Sequence, residues 1–192
     1  VQITLNNTLT YYGALSHYGE DIPLACVGVI SKVNILMLGF TLGISQGCQP
    51  IFSYNYGARQ YSRVREAYRK AIVAASVICC IAFVCFQLFP RPIVALFDPS
   101  GSEEYFQFAE RYFRIYMFMT LANAFQPITA NFFTSIGKAK RGALIALTRQ
   151  VIFLIPLILI FPLFLGIDGV MYAGPIADSA AVVVALALVT RE

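Results

Sequence analysis

The chain has 192 residues, 58% of them apolar and only 12% charged, with a formal net charge of +4 at neutral pH. Soluble domains run near 45–50% apolar and about 25% charged, because even a chain with a large core must clothe itself in polar surface. That balance excludes an ordinary soluble domain. The grouping of the apolar residues into runs of about 20 with few charges marks a membrane protein, since a helix of that length spans ~30 Å of hydrocarbon.

The first predicted span runs from Val1 to about His17 and is short and polar-tinged, with Asn6 and Asn7 among several Thr and Tyr residues. The chain opens at Val1 with an apolar segment already under way and no signal-peptide pattern, which predicts a truncated helix cut inside a longer protein. A polar turn around Gly19 and Asp21 leads to a second span, about Leu24 to Ser53, interrupted by Gly39, Gly43, Gly47 and Pro50. It closes in Tyr54-Asn55-Tyr56-Gly57, which reads as a turn. A basic amphipathic stretch, Arg59 to Lys70, precedes the third span, about Ala71 to Phe89, which Pro90-Arg91-Pro92 ends. After the turn signal Asp98-Pro99-Ser100-Gly101 comes the fourth span, about Tyr112 to Phe133. The fifth, about Ala143 to Phe164, holds Pro156 and Pro162; proline is tolerated where neighbouring helices re-satisfy the freed carbonyls. The sixth runs from about Gly169 to Val189. The fold class is therefore an all-α membrane protein of six transmembrane helices.

Six alternating helices place the loops after spans two and four, and the C-terminus, on one side. That side carries Arg59, Arg63, Arg65, Arg69, Lys70, Lys138, Lys140, Arg141 and Arg191. The other carries only Arg91, Arg111 and Arg114, beside Glu20, Asp21, Asp98, Glu103, Glu104, Glu110 and Asp168. Lys and Arg mark the cytoplasmic side, so the first side faces inward. The same bias removes nucleic acid as a partner, because basic loops beside a bilayer need none. The five cysteines, Cys26, Cys48, Cys79, Cys80 and Cys85, all fall within apolar runs and are read as free thiols without zinc-ligand spacing. A short internal echo links Gln49-Pro50-Ile51 with Gln126-Pro127-Ile128, each near the inner end of a helix running in the same direction. Internal repeats are a common way to build transporters.

Three ionisable residues lie within the spans: Lys32, Arg149 and Asp178. At ~1.5 Å per residue, Lys32 lies roughly 12 Å and Asp178 roughly 14 Å from the outer side, while Arg149 lies roughly 9 Å from the inner side. A charge near mid-bilayer costs at least ~2.5–3.5 kcal/mol, so each must face protein or a water cavity and find a partner. Lys32 and Asp178 are read either as members of a substrate or proton path or as a structural ion pair between two helices. Arg149, beside Gln150, is read as structural or as part of that path. The amides Asn34, Gln46, Gln49, Asn55, Asn123, Gln126 and Asn131 either bond neighbouring helices or line a polar cavity. With His17 as the only histidine, and no GxSxG, Walker A or GxGxxG pattern, the enzyme signatures are missing.

The stretch Gly47-Cys48-Gln49-Pro50-Ile51-Phe52-Ser53-Tyr54-Asn55-Tyr56-Gly57-Ala58-Arg59, followed by Arg63-Val64, resembles a signature of the multidrug and toxic compound extrusion (MATE) family. So do Ser135-Ile136-Gly137-Lys138, Thr148-Arg149-Gln150 and Gly174-Pro175-Ile176-Ala177-Asp178, in order and spacing. The resemblance covers essentially residues 1–192 and identifies them as the C-terminal lobe of a bacterial protein of that kind, its first helix truncated and its N-terminal lobe absent. It implies one six-helix lobe of a twelve-helix antiporter that expels small organic cations and drugs in exchange for Na⁺ or H⁺. It further implies a multi-pass protein of the bacterial inner membrane, partnered by lipid and its other lobe, with no cofactor beyond the coupling ion. Some branches of the family carry cation-binding carboxylates in this lobe. Here span one shows Asn6 and Asn7 and the core of span four has no acid, which shifts the expected coupling to Asp178 or to the other lobe. The competing readings are a lipid-linked oligosaccharide flippase of related fold, whose cavity would be strongly cationic, and a non-transporting membrane scaffold subunit.

Overall fold

A computed structural model describes residues 2–16, 18–19, 21–99 and 101–189, with the side chains of residues 2 and 123 left aside. Among the described residues the regular structure is helical throughout. The helices are α1 (Gln2–Ala14), α2 (Asp21–Gly57), α3 (Tyr61–Leu88), α4 (Pro90–Phe97) and α5 (Glu103–Met117), then α6 (Ala122–Ser135), α7 (Ala139–Leu147), α8 (Ile155–Leu165) and α9 (Ile167–Val189). A 3₁₀ turn over Phe118–Leu121 joins α5 to α6, and a π-helical turn over Thr148–Leu154 joins α7 to α8.

Four rods are long and apolar enough to cross a bilayer: Asp21–Gly57, Tyr61–Leu88, Ala139–Leu165 and Ile167–Val189. They correspond to predicted spans two, three, five and six, and the protein is a multi-pass membrane protein. Of the two remaining predicted spans, the first is short, as its sequence suggests, and the fourth is broken. The 13 residues of α1 extend about 20 Å, short of the hydrocarbon thickness. Predicted span four is not one helix, because Met119 leaves helical geometry (φ −90°, ψ 19°) and the rod breaks there. The Thr120 hydroxyl fixes that break by donating to the Met117 carbonyl at 2.6 Å.

One predicted turn, and most of the basic amphipathic stretch after it, are helical. Tyr54-Asn55-Tyr56-Gly57 forms the last turn of α2, which runs through Pro50 for 37 residues. The basic stretch from Tyr61 onward is the first part of α3, continuous with the apolar span. The chain turns between them by a hydrogen-bonded C-cap: the Arg59 N–H donates to the Tyr56 carbonyl (3.0 Å) and the Gln60 N–H to the Asn55 carbonyl (2.8 Å). The end of α6 repeats the arrangement, with Gly137 N–H to Thr134 (3.2 Å) and Lys138 N–H to Phe133 (2.9 Å). Both ends are Schellman caps, which need a left-handed residue. Gly137 supplies it after α6 (φ 81°), and Arg59, rather than Gly57, supplies it after α2 (φ 58°).

Helices α2 and α6 lie side by side and parallel. The Ser45 hydroxyl meets the Pro127 carbonyl at 3.5 Å and the Ser53 hydroxyl donates to the Ser135 carbonyl at 2.9 Å, the same sequence offset twice. Only two helices advancing in the same direction keep such an offset, so the echo pairs elements of like orientation. Helix α3 packs on both through a small-residue edge (Ala71, Ala75, Cys79, Ala82), which lets backbones approach closely. Its opposite edge (Val73, Val77, Ile81, Val84, Leu88) is exposed at helical spacing, as expected of a face turned to lipid. Toward the predicted outer side, a larger core joins Leu9, Ile30, Phe108, Phe113, Ile158 and Met171. That end is clasped by Arg91, which pairs with Glu103 at 2.6 Å and lies 5.2 Å from the Phe106 ring, and by Arg111 with Asp168 at 3.8 Å. All five cysteines are free thiols.

Candidate functional site

The sequence puts one acid, Asp178, in the interior of α9, and the fold gives it a base, Arg149. Asp178 lies at the midpoint of α9 (Ile167–Val189), three residues past Pro175, which removes one backbone donor from the helix. Arg149 lies in the π-helical turn. Pro156 explains the wide turn, since its ring crowds the carbonyl four residues back at Ile152 and opens the ladder just before α8. π-turns inside helices recur at functional sites because they re-aim a side chain. Here Arg149 Nε donates to Asp178 Oδ1, and the two side chains keep only 14% and 9% of their exposure.

Tyr116, from the last turn of α5, closes over this pair. Its ring lies so near Gly174 that a β-carbon added there would meet Tyr116 Cε2 at 2.7 Å. Gly174 is one turn before Asp178 on the same helix face, so the absence of a side chain seats the ring beside the carboxylate. Next to Arg149 is a cavity of about 190 Å³, its polar lining given by Ser31, Asn34, Tyr116, Arg149 and Gln150. The site is thus a buried opposite-charge pair at mid-helix depth, flanked by a tyrosine and open on one side to a small polar cavity.

Of the predicted residues, Arg149, Asp178 and Asn34 come together here. The Lys32–Asp178 pairing is corrected: Asp178 takes Arg149, and Lys32 sits exposed on α2 with no ion pair among the described residues. The reason is helical phase, since Lys32 projects from the face of α2 that also exposes Ile35 and Leu36, away from α9. Gln126 and Asn131 act at helix seams: Gln126 Nε2 donates to the Ile145 carbonyl at 3.0 Å, and Asn131 Nδ2 to Ser45 Oγ at 2.8 Å. Asn55 bonds its own helix, to the Ile51 carbonyl at 2.8 Å. Gln49 is half-buried and Gln46 exposed on α2, apart from the pair. The side chain of Asn123, and His17, Glu20 and Arg191, lie outside the described residues. Tyr116 was absent from the sequence reading, and Gly174 entered it only within the motif Gly174-Pro175-Ile176-Ala177-Asp178; the local hint was a glycine one turn before an intramembrane acid.

The profile of the MatE family matches residues 7–160. The chain is 23% identical over 175 residues to the multidrug export protein MepA of Staphylococcus aureus (strain bovine RF122 / ET3-1), covering 91% of this chain and 38% of MepA. Its fold superposes with TM-score 0.84 and 20% identity on the outward-facing conformation of a multidrug resistance MATE family transporter of the MOP superfamily, over 96% of this chain and 40% of that one. The inward-facing conformation gives the same TM-score and identity, over 95% and 41%. The chain therefore spans about two fifths of the length of these relatives. A family match over that much of the sequence, with the fold to go with it, decides the matter: this chain belongs to the MatE family of multidrug efflux transporters, and not to a family of enzymes.

Proposed function

We propose that the full-length protein is a secondary active antiporter that expels organic cations and drugs in exchange for Na⁺ or H⁺. On this reading the chain is its C-terminal six-helix lobe, working against an N-terminal lobe of the same polypeptide in a bacterial inner membrane. The observation that carries the proposal is the Arg149–Asp178 pair, two charges buried at mid-helix depth and bordered by a polar cavity. Intramembrane charges are expensive to hold and are typical of ion and proton pathways. A coupling cation arriving at Asp178 competes with Arg149 for the carboxylate, which loosens α9 from the π-turn beside it. The prolines at 156 and 175 lie close to that contact, where the helices are least held by their own hydrogen bonds. The equal fit of the lobe to inward- and outward-facing relatives supports rocking of rigid lobes as the access change.

The test is ethidium efflux from cells expressing the full-length protein, under separate Na⁺ and H⁺ gradients, with Asp178→Asn alongside. The proposal predicts efflux that follows one gradient and collapses toward background in the variant. Efflux indifferent to both gradients would overturn antiport. No efflux of any organic cation tried would favour the flippase or scaffold readings.

A further inference from the structure

A second, larger cavity lies at the opposite end of the lobe from the outer clasp. It has a volume of about 400 Å³ and is walled by Tyr56, Tyr61, Tyr68, Phe132, Val64 and Arg65, where the end of α2 meets the start of α3 and the inner half of α6. Its aromatic wall is rigid. Tyr68 and Phe132 rings pack at 4.8 Å, Tyr56 and Tyr61 meet edge-on at 5.4 Å, and the Tyr68 hydroxyl is engaged by Thr129 at 2.8 Å. The Tyr56 and Tyr61 hydroxyls and the Arg65 guanidinium, by contrast, have no hydrogen-bond or ion-pair partner among the described residues. Three polar groups thus border an otherwise apolar hollow.

Among the described residues the surrounding charge is mostly basic. Arg59, Arg63 and Arg69 lie on the same turn and helix start, and Lys138, Lys140 and Arg141 on the neighbouring α6–α7 turn. Among the described residues, the acid on this part of α3, Glu66, is paired with Lys70 at 2.7 Å. The start of α3 has no acidic residue and no side-chain cap, so arginines sit at the end of a helix where the dipole favours an anion. An organic cation is excluded by the same charges. A ligand that answers all of this is anionic at one end and apolar at the other.

We propose that this cavity binds an anionic phospholipid of the cytoplasmic leaflet, its phosphate on Arg65 and the Tyr56 and Tyr61 hydroxyls and its first chain carbons against Phe132, Val64 and Ile136. The place fits: basic pockets between transmembrane helices on the inner side hold anionic headgroups, and tyrosines favour that level of the bilayer. The assignment rests on the orientation given by the charge bias, not on the antiport reading.

The test uses the purified full-length protein in neutral detergent, titrated with phosphatidylglycerol and read by lipid adducts in native mass spectrometry and by melting temperature. Arg65→Gln is expected to weaken phosphatidylglycerol binding about fivefold, while Arg69→Gln, one turn further and outside the cavity, leaves it near wild type. Tyr61→Phe gives a milder loss and keeps the ring packing, so the result stands even where Arg65→Gln folds poorly. Equal binding of phosphatidylcholine, equal loss in Arg69→Gln, or full effect of inorganic phosphate alone would each overturn the proposal.

Discussion

At the residue scale the fold depends on charges that cannot be left alone. Removing one member of a buried ion pair leaves the other without compensation, which costs about 3–5 kcal/mol. Arg149→Met is therefore expected to destabilise the full-length protein by that amount in a thermal unfolding assay, while the double variant Arg149→Met/Asp178→Leu recovers much of the loss. A double variant no better than the single one would mean that the two residues act apart. Arg59 offers the opposite sign. It holds a left-handed backbone (φ 58°) where glycine is the usual residue, a strain of about 1 kcal/mol or more. Arg59→Gly should raise the melting temperature, because the C-cap hydrogen bonds to Tyr56 and Asn55 remain and the strain goes.

At the element scale α6 and α7 approach closely. A β-carbon on Gly142 would meet the Ala130 carbonyl at 2.6 Å and Thr134 Oγ1 at 2.4 Å, and the carbonyl is backbone that cannot swing aside. Gly142→Ala is predicted to destabilise by about 1–3 kcal/mol in the same unfolding assay, through forced separation of the two helices. Much at this scale was legible in the sequence. Long apolar runs located four of the rods, because a stretch that must match hydrocarbon thickness is written in composition. The breaks were not legible. The sequence 54–57 carries turn-favouring residues yet closes as helix, since its backbone donors are satisfied along α2 and the turn is deferred to Arg59. The 3₁₀ break at Met119 carries no glycine or proline, and its cause is a threonine hydroxyl three residues from its acceptor. The choice of Arg149 over Lys32 as the partner of Asp178 depended on helical phase and on a π-turn, neither of which periodicity reveals over so short a stretch. The amides illustrate the same limit: Gln126 and Asn131 could line a cavity or join helices, and only packing decides that they join helices.

At the scale of the whole molecule, the chain turns many large apolar side chains outward, as a bilayer allows, while small residues line the inner edge of α3. Its two ends differ in charge, with acid–base clasps at one and a concentration of arginines and lysines at the other. That asymmetry predicts a topology: in an otherwise cysteine-free full-length protein, Ser62→Cys should react with an impermeant maleimide only from the cytoplasmic side and Ser102→Cys only from outside. The reverse pattern would invert the assignment of inner and outer ends. The central claim, that a MatE lobe couples ion entry to drug exit through Arg149 and Asp178, is tested most directly by the reconstituted full-length protein in proteoliposomes. Ethidium accumulation driven by an imposed ion gradient is measured next to gradient-free ethidium exchange, for wild type and Asp178→Asn. The account predicts that the variant keeps exchange and loses gradient-driven accumulation, and accumulation undiminished in the variant would contradict it.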